Sequence, residues 1–532
     1  MQKLLVAFLL LLFLTHSNLA TAQSAPPPAQ EGPVSQVEGS WQLTPLVLKG
    51  AQAPETNGQF QEFGETYTME NMLAFWARFG PADKDWGLFS LKDGKVAKIL
   101  LEDVEFVAPD SRKIKVSRAG VFPARIYAGK RILYISNLNP DHLYGWDGEQ
   151  LVRILCAGDQ LDVNGVRYMV KKATVLDVSA DGRALIYYDA DKPQHINGWV
   201  LHDGKSLMPL WKEGDPLPGM PGVQIKNMSS GPFCISHCVG VPRLLEDGSV
   251  LAAIEITGAS EKAALFHIAS DRTEKISVEM TAGRSMRPTP FDTSFSERRL
   301  GDLLVARSDG FVMEVSHGET SNDFVQGTTT YSLEPRLLFY NQGRGQVVSN
   351  AGAREGGALG AKDLGFAFDS GMYLAPDSSR ALVTLRATIS KRHWTKSRTS
   401  VSLPGLYFWD GEKKLSAVPW EMALGMDIPA VLKALETKSG PIWRPVPAKG
   451  IRLRRISGPV SGVGVVLPTA GSTGARWFVA SNSVDGKLER PQFRVAGRTV
   501  TVADVVAWRS PEEALVELED GYYLLTKAAD LK

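Results

Sequence analysis

Metal-ligating side chains stand closest together at Cys234-Ile235-Ser236-His237-Cys238 in this chain of 532 residues. Thiolate and imidazole suit zinc, but a structural zinc site takes four ligands, and the usual paired cysteine spacing is missing. The competing chemistry is a disulfide between Cys234 and Cys238. It needs a bent backbone to bring Cα atoms four residues apart within bonding reach. Two buried thiols are the third possibility, and Cys156 is left free in every case. No metal ligand set is assigned here, and no catalytic or cofactor-binding residue.

Two basic stretches follow. Lys391-Arg392-His393-Trp394-Thr395-Lys396-Ser397-Arg398 places one aromatic ring among cations, a pattern that would hold an anionic sugar or a phosphate. As a solvated loop it would instead keep a sheet edge from pairing, the commoner use of a charge run. Arg452-Leu453-Arg454-Arg455 reads the same way. The Gly-x-Ser-x-Gly elbow, the Ser-x-x-Lys pair, the His-Glu-x-x-His helix and the Gly-rich phosphate and dinucleotide loops are all missing. Histidines number 8, and no two stand at metal-ligand spacing on one strand. A site built from single residues of many repeats leaves no such local motif.

The elements that must position these residues are short strands. Glycine at 50 and proline at 31 suit turns, while 44% hydrophobic and 22% charged residues describe an ordinary folded chain. The formal charge of +1 supplies no global field for phosphate backbones, so nucleic acid is disfavoured as a partner. At the N-terminus a positive start at Lys3, an apolar run from Leu4 to Leu14 and the small residues of Ala20-Thr21-Ala22 read as a secretory signal peptide over residues 1–22, cut between Ala22 and Gln23. The apolar run is short for a transmembrane anchor. The mature chain is expected to be exported, periplasmic or extracellular, with residues 23–39 as a disordered, proline-rich arm. Three cysteines make no disulfide framework, so a core must hold the fold.

One pattern returns along the chain: aromatic and aliphatic residues, then Asp-Gly, then a further apolar run. It is clearest at Trp86–Phe89 with Asp93-Gly94, Leu143–Trp146 with Asp147-Gly148, Gly198–Leu201 with Asp203-Gly204, and Gly405–Trp409 with Asp410-Gly411. Weaker copies end at Asp271, Gln342-Gly343 and Asp485-Gly486. Asp-Gly between apolar runs marks a tight hairpin turn. A second set of turns, at Ala108-Pro109-Asp110, Asp181-Gly182, Asp247-Gly248, Asp309-Gly310 and Ala375-Pro376-Asp377, adds another hairpin per period. Four strands repeated about seven times build an all-β propeller over residues 40–498, since stacked sheets closed in a ring leave no exposed edge. The recurring tryptophans and tyrosines answer a repeated packing need rather than forming a sugar platform. A short helix is expected near residues 427–437, from Asp427, Pro429 and helical apolar spacing. Residues 499–532 read as a C-terminal hairpin that pairs with Trp41–Val47 to close the ring.

Gly214-Asp215-Pro216-Leu217-Pro218-Gly219, followed by an Asp-Gly strand turn and then Gly405–Gly411, resembles the repeat of a family of exported bacterial propeller-like proteins of unknown function. Ala375-Pro376-Asp377-Ser378-Ser379-Arg380-Ala381-Leu382-Val383 is similar to the strand repeat of TolB-type and WD40-like propellers. The resemblance implies a fold and a compartment, and it carries over no catalytic residue. The expectation is a monomeric, non-catalytic binding or scaffold protein that takes a protein, glycan or envelope component at one propeller face. The alternative is a hydrolase or lyase acting on a glycan or lactone. The cofactor is unknown.

Overall fold

The structure, a computed structural model, describes residues 36–528 apart from 71, 83–84, 118–123, 139–141, 180, 229–241, 246, 260–262, 271–272, 276–297, 307–309, 324–327, 342–343, 349–363, 375–379, 393–397, 410–414, 419–450, 468–475 and 496. Cys234, His237, Cys238, the signal peptide with Ala22 and Gln23, the 427–437 helix and the centre of the Lys391–Arg398 stretch lie outside these residues.

The described chain is all-β, and its one helical element is the 3-10 turn Val502–Asp504. The strands fall into successive antiparallel sheets over residues 62–101, 125–156, 160–212, 224–275, 298–348, 364–417 and 452–480, and an eighth six-stranded sheet joins the two ends of the chain. These are the blades, in chain order. Strands of neighbouring sheets touch in sequence: Glu62–Thr68 meets Arg125–Ala128, which meets Val166–Val178, which meets Arg243–Leu244. From the other side, Arg298–Ala306 meets Leu364–Tyr373, then Arg452–Ile456, then Val505–Ser510, which returns to Glu62–Thr68. Sheets that follow one another around a common axis define a β-propeller.

In the eighth blade Gln36–Leu48 lies parallel to Gln492–Val495 and antiparallel to Gly521–Lys527, with Trp41 opposite Lys527 and Leu48 opposite Gly521. A strand from the start of the chain is thus held between two from its end. The strand begins at Gln36, so residues 36–39, expected in the arm, are sheet. Among the described residues there are eight sheets of three or more strands besides one two-stranded hairpin, against about seven expected, and the strands around Asp520-Gly521 belong to the additional one. A second difference is local. Ala108-Pro109-Asp110 and the strand after it belong to a separate hairpin, Glu105–Val107 with Lys113–Lys115, outside the blades. In the second blade the corresponding turn is formed by residues 129–132, where Gly129 N–H bonds to the Ile132 carbonyl.

Among the described side chains, those on both faces of the first three sheets are buried, so the core there lies between blades. Trp76, Leu88 and Trp86 of the first pack with Tyr144 and Trp146 of the second, and Tyr134 and Ile154 of the second with Tyr188 and Val200 of the third. Phe75, Phe89 and Tyr522 join the eighth to the first. The repeated aromatics Trp86, Trp146, Trp199, Trp409 and Trp477 are all buried, which is the packing role their repetition implies.

The recurrent aspartates are turn formers. At Asp93-Gly94 both residues have positive φ, +50° and +74°, as the tightest hairpin turns require. At Asp147 and Asp203 the carboxylate closes the turn instead, accepting N–H groups two and three residues on at 2.8–2.9 Å. The links between blades repeat as well. Asp159 and Asp215 each accept the N–H three residues back, from Cys156 (2.9 Å) and Lys212 (3.0 Å), while Gly158 and Gly214 bond to the carbonyls of Val170 and Ile225.

Candidate functional site

Because strand turns alternate between the two ends of a meander, the turns after the first and third strands of a blade share one end of the ring. At that end, between the first and second blades, is a cavity of 280 Å³ lined by Met69, Glu70, Met72, Lys92, Lys130, Arg131, Asp147 and Gly148. Ligand pockets start at about 300 Å³, so the space suits a group the size of one or two rings. The backbone fixes its walls: Glu70 N–H bonds to the Lys130 carbonyl across the blades, and Met69 N–H to the Met72 carbonyl within the turn.

Three cations face two carboxylates. Lys130 Nζ and Arg131 Nε share Glu70, at 3.8 and 3.6 Å, and Lys92 Nζ lies 3.7 Å from the exposed Glu149 at the rim. One oxygen of Asp147 already accepts two backbone N–H groups. The pairs are long and wet, worth little to stability, and leave donors for an incoming anion. Buried Met72 and half-buried Met69 supply an apolar wall.

Two further charge clusters lie where blades meet. In one, Arg243 Nη1 donates to Asp177 Oδ1 (3.1 Å) and Leu244 N–H to Asp177 Oδ2 (2.9 Å). Burial raises the Asp177 pKa despite Arg243. Burial also raises Tyr127, against the pull of the Arg125 and Arg243 guanidinium groups. Three blades therefore meet here through paired polar groups.

The other cluster seals the ring. Arg454 Nη2 donates to Glu517 Oε2 (2.9 Å) and Thr66 Oγ1 (3.2 Å), which joins the seventh, eighth and first blades. Arg476 Nη2 lies 3.0 Å from Glu517 Oε1, and its Nη1 donates to the Glu517 carbonyl (2.5 Å) and lies 3.6 Å from Asp504. Burial would raise Glu517, but Arg476 and Arg454 outweigh it and hold the carboxyl below its usual range. Asp504 is raised, burial there exceeding the help of Arg476. The sequence reading of Arg452–Arg455 as a solvated run therefore needs correcting: Arg452 and Arg455 are exposed, but Arg454 is a half-buried strut.

Cys156 is a buried free thiol whose Sγ lies 3.8 Å from the Leu143 carbonyl, and burial raises its pKa. Beside it, Asp159 binds Arg112 (3.0 Å) and Arg153, and Tyr144 donates to Asp110 (2.9 Å), which ties the extra hairpin to the second blade. Two groups of residues escaped sequence reading. The cleft cations Lys92, Lys130 and Arg131 sit on turns of two different blades, and Asp189, Asp191 and His195 gather at the far end of the third blade, their ligand atoms all within 4.8 Å. The alternation Asp-x-Asp followed by His-x-Asn across a turn was the available signal for the second group.

The chain is thus a β-propeller with a small charged cleft between two blades. No protein-family model matches it, and no curated protein does. Among solved structures it is similar to the β-propeller domain of the trilobed protease from Pyrococcus furiosus, at 12% identity and a TM-score of 0.30 over 83% of this chain and 98% of that one. It is similar to a puromycin hydrolase at 13% identity and a TM-score of 0.30, over 86% of this chain and 57% of that one. It also resembles an endo-1,5-alpha-L-arabinanase from Thermotoga petrophila RKU-1, at 11% identity and a TM-score of 0.22, over 76% and 98%.

Proposed function

We propose that the protein is an exported, non-catalytic propeller that binds an anionic glycan of the cell envelope in the cleft between its first and second blades. The observation that carries this reading is the lining of that cleft. Lys92, Lys130 and Arg131 offer charge-assisted donors to a carboxylate, Glu70 and Asp147 offer acceptors to sugar hydroxyls, and Met69 and Met72 offer an apolar wall to a ring face. A uronic acid presents all three kinds of surface. The reading as a hydrolase or lyase calls for carboxylates free to act near the axis, whereas Asp177 there is held by Arg243 and a backbone N–H.

Calorimetric titration with uronate oligosaccharides and their neutral counterparts tests the proposal. The uronates bind, the neutral sugars do not, and Lys130→Glu with Arg131→Glu abolishes binding. Equal binding of neutral sugars, or no binding at all, refutes it. A hydrolysis product lost on one carboxylate substitution would turn the reading to the enzyme.

A further inference from the structure

Two adjacent strands of the third blade, Ala184–Lys192 and Ile196–His202, pair with Asp189 opposite Asn197 and Ala190 opposite Ile196. Continued by one step, that register sets Asp191 against His195. Residues two apart on a strand share a face, and directly opposed residues are side-chain neighbours. Asp189, Asp191, His195 and Asn197 therefore form a block of four donors on one face of the hairpin end. This is the end of the ring opposite the cleft.

Two independent details point to an ion. Asp189 Oδ1 is buried, and His195 Nε2 lies 3.0 Å from it. Two ligand atoms this close can share one cation. Asn197 is 8% exposed, and its Oδ1 is also buried without a partner. Its Nδ2 donates to Glu213 Oε2 (2.8 Å), on the side of the edge strand Leu207–Lys212. With the amide nitrogen bonded to Glu213, the carbonyl oxygen is left over, and the register makes Asp189 the residue directly opposite on the other side. A buried acceptor with nothing to accept from is costly, and a metal ion would satisfy it.

We propose that Asp189, Asp191, His195 and Asn197 bind a divalent transition-metal ion of zinc type. One imidazole among oxygen donors selects zinc over calcium, which takes oxygen ligands alone. Ligands at ~2.0–2.2 Å from the ion stand no more than about 4.4 Å apart. The exposed Asp191 and His195 close the remaining gap by rotation. Lys171, 4.0 Å from Asp191 Oδ2, releases that oxygen when the ion enters.

The test uses the mature chain, stripped with chelator, and two probes: Zn²⁺ by calorimetry and Co²⁺ by absorption. One Zn²⁺ binds, and His195→Ala and Asp191→Ala each weaken it on the order of tenfold or more with an unchanged melting temperature. Co²⁺ gives visible d–d bands without a sulfur-to-cobalt charge-transfer band. A charge-transfer band would assign the ion to the Cys234 and Cys238 segment and overturn the proposal. So would equal affinity in the two variants, or no binding by the wild type.

Discussion

Two of the seams between blades use charge in opposite ways. Where the seventh, eighth and first blades meet, Arg454, Arg476, Glu517 and Asp504 are largely buried, and each carboxylate finds a guanidinium within 2.9–3.6 Å. Between the first and second blades, Lys130 and Arg131 share one carboxylate at 3.6–3.8 Å, in reach of water. Paired and desolvated, charge locks a joint, because removing one partner strands the other. Under-paired and wet, it adds little to stability and is free for a ligand. The comparison teaches that burial and pairing, more than residue type, separate the struts of this ring from its binding surface.

The largest effect should come from breaking the closed seam. Glu517→Ala leaves Arg454 and Arg476 facing each other without their anion, and destabilisation of ~3–5 kcal/mol is expected in chemical denaturation. A loss below about 1 kcal/mol would mean that water or other groups replace the carboxylate. Next comes the link between the second and third blades, where Asp159→Ala removes the acceptor of Cys156 N–H and the partner of Arg112. Its expected cost is ~1–3 kcal/mol, and Asp215→Ala, at the equivalent place one blade on, should behave alike.

A subtler effect concerns His202, whose ring accepts or donates at 3.0 Å to buried Tyr134 and whose pKa burial lowers. A base with a depressed folded pKa stays neutral in the native state. Its contribution is complete above the unfolded value of about 6.5 and is lost as pH falls below it toward the folded value. Melting temperature should drop across that acidic window, and His202→Phe should flatten the drop. The smallest stability effect belongs to the cleft, where Lys130→Glu with Arg131→Glu should change stability within about 0.5 kcal/mol.

Much of the architecture was legible because it repeats. Asp93-Gly94, Asp147-Gly148 and Asp203-Gly204 mark their hairpins directly, since a tight turn needs local chemistry that sequence displays. The hairpin at residues 105–115 misled the reading because Ala108-Pro109-Asp110 satisfies the same turn rules outside any blade. The cleft and the Asp189, Asp191, His195 and Asn197 block were invisible for the reverse reason. The cleft's members meet only once blades stack, and the alternation Asp-x-Asp then His-x-Asn places its residues together only once the hairpin register is known. Arg454 was misread because its partners, Thr66 and Glu517, are remote in sequence.

The most direct test of the account is calorimetric titration of a uronate oligosaccharide against three proteins: wild type, Lys130→Glu with Arg131→Glu, and Arg476→Lys. The account expects the cleft variant to lose binding at unchanged melting temperature, and Arg476→Lys to keep full affinity at a lower one. Affinity that survives charge reversal in the cleft would contradict it.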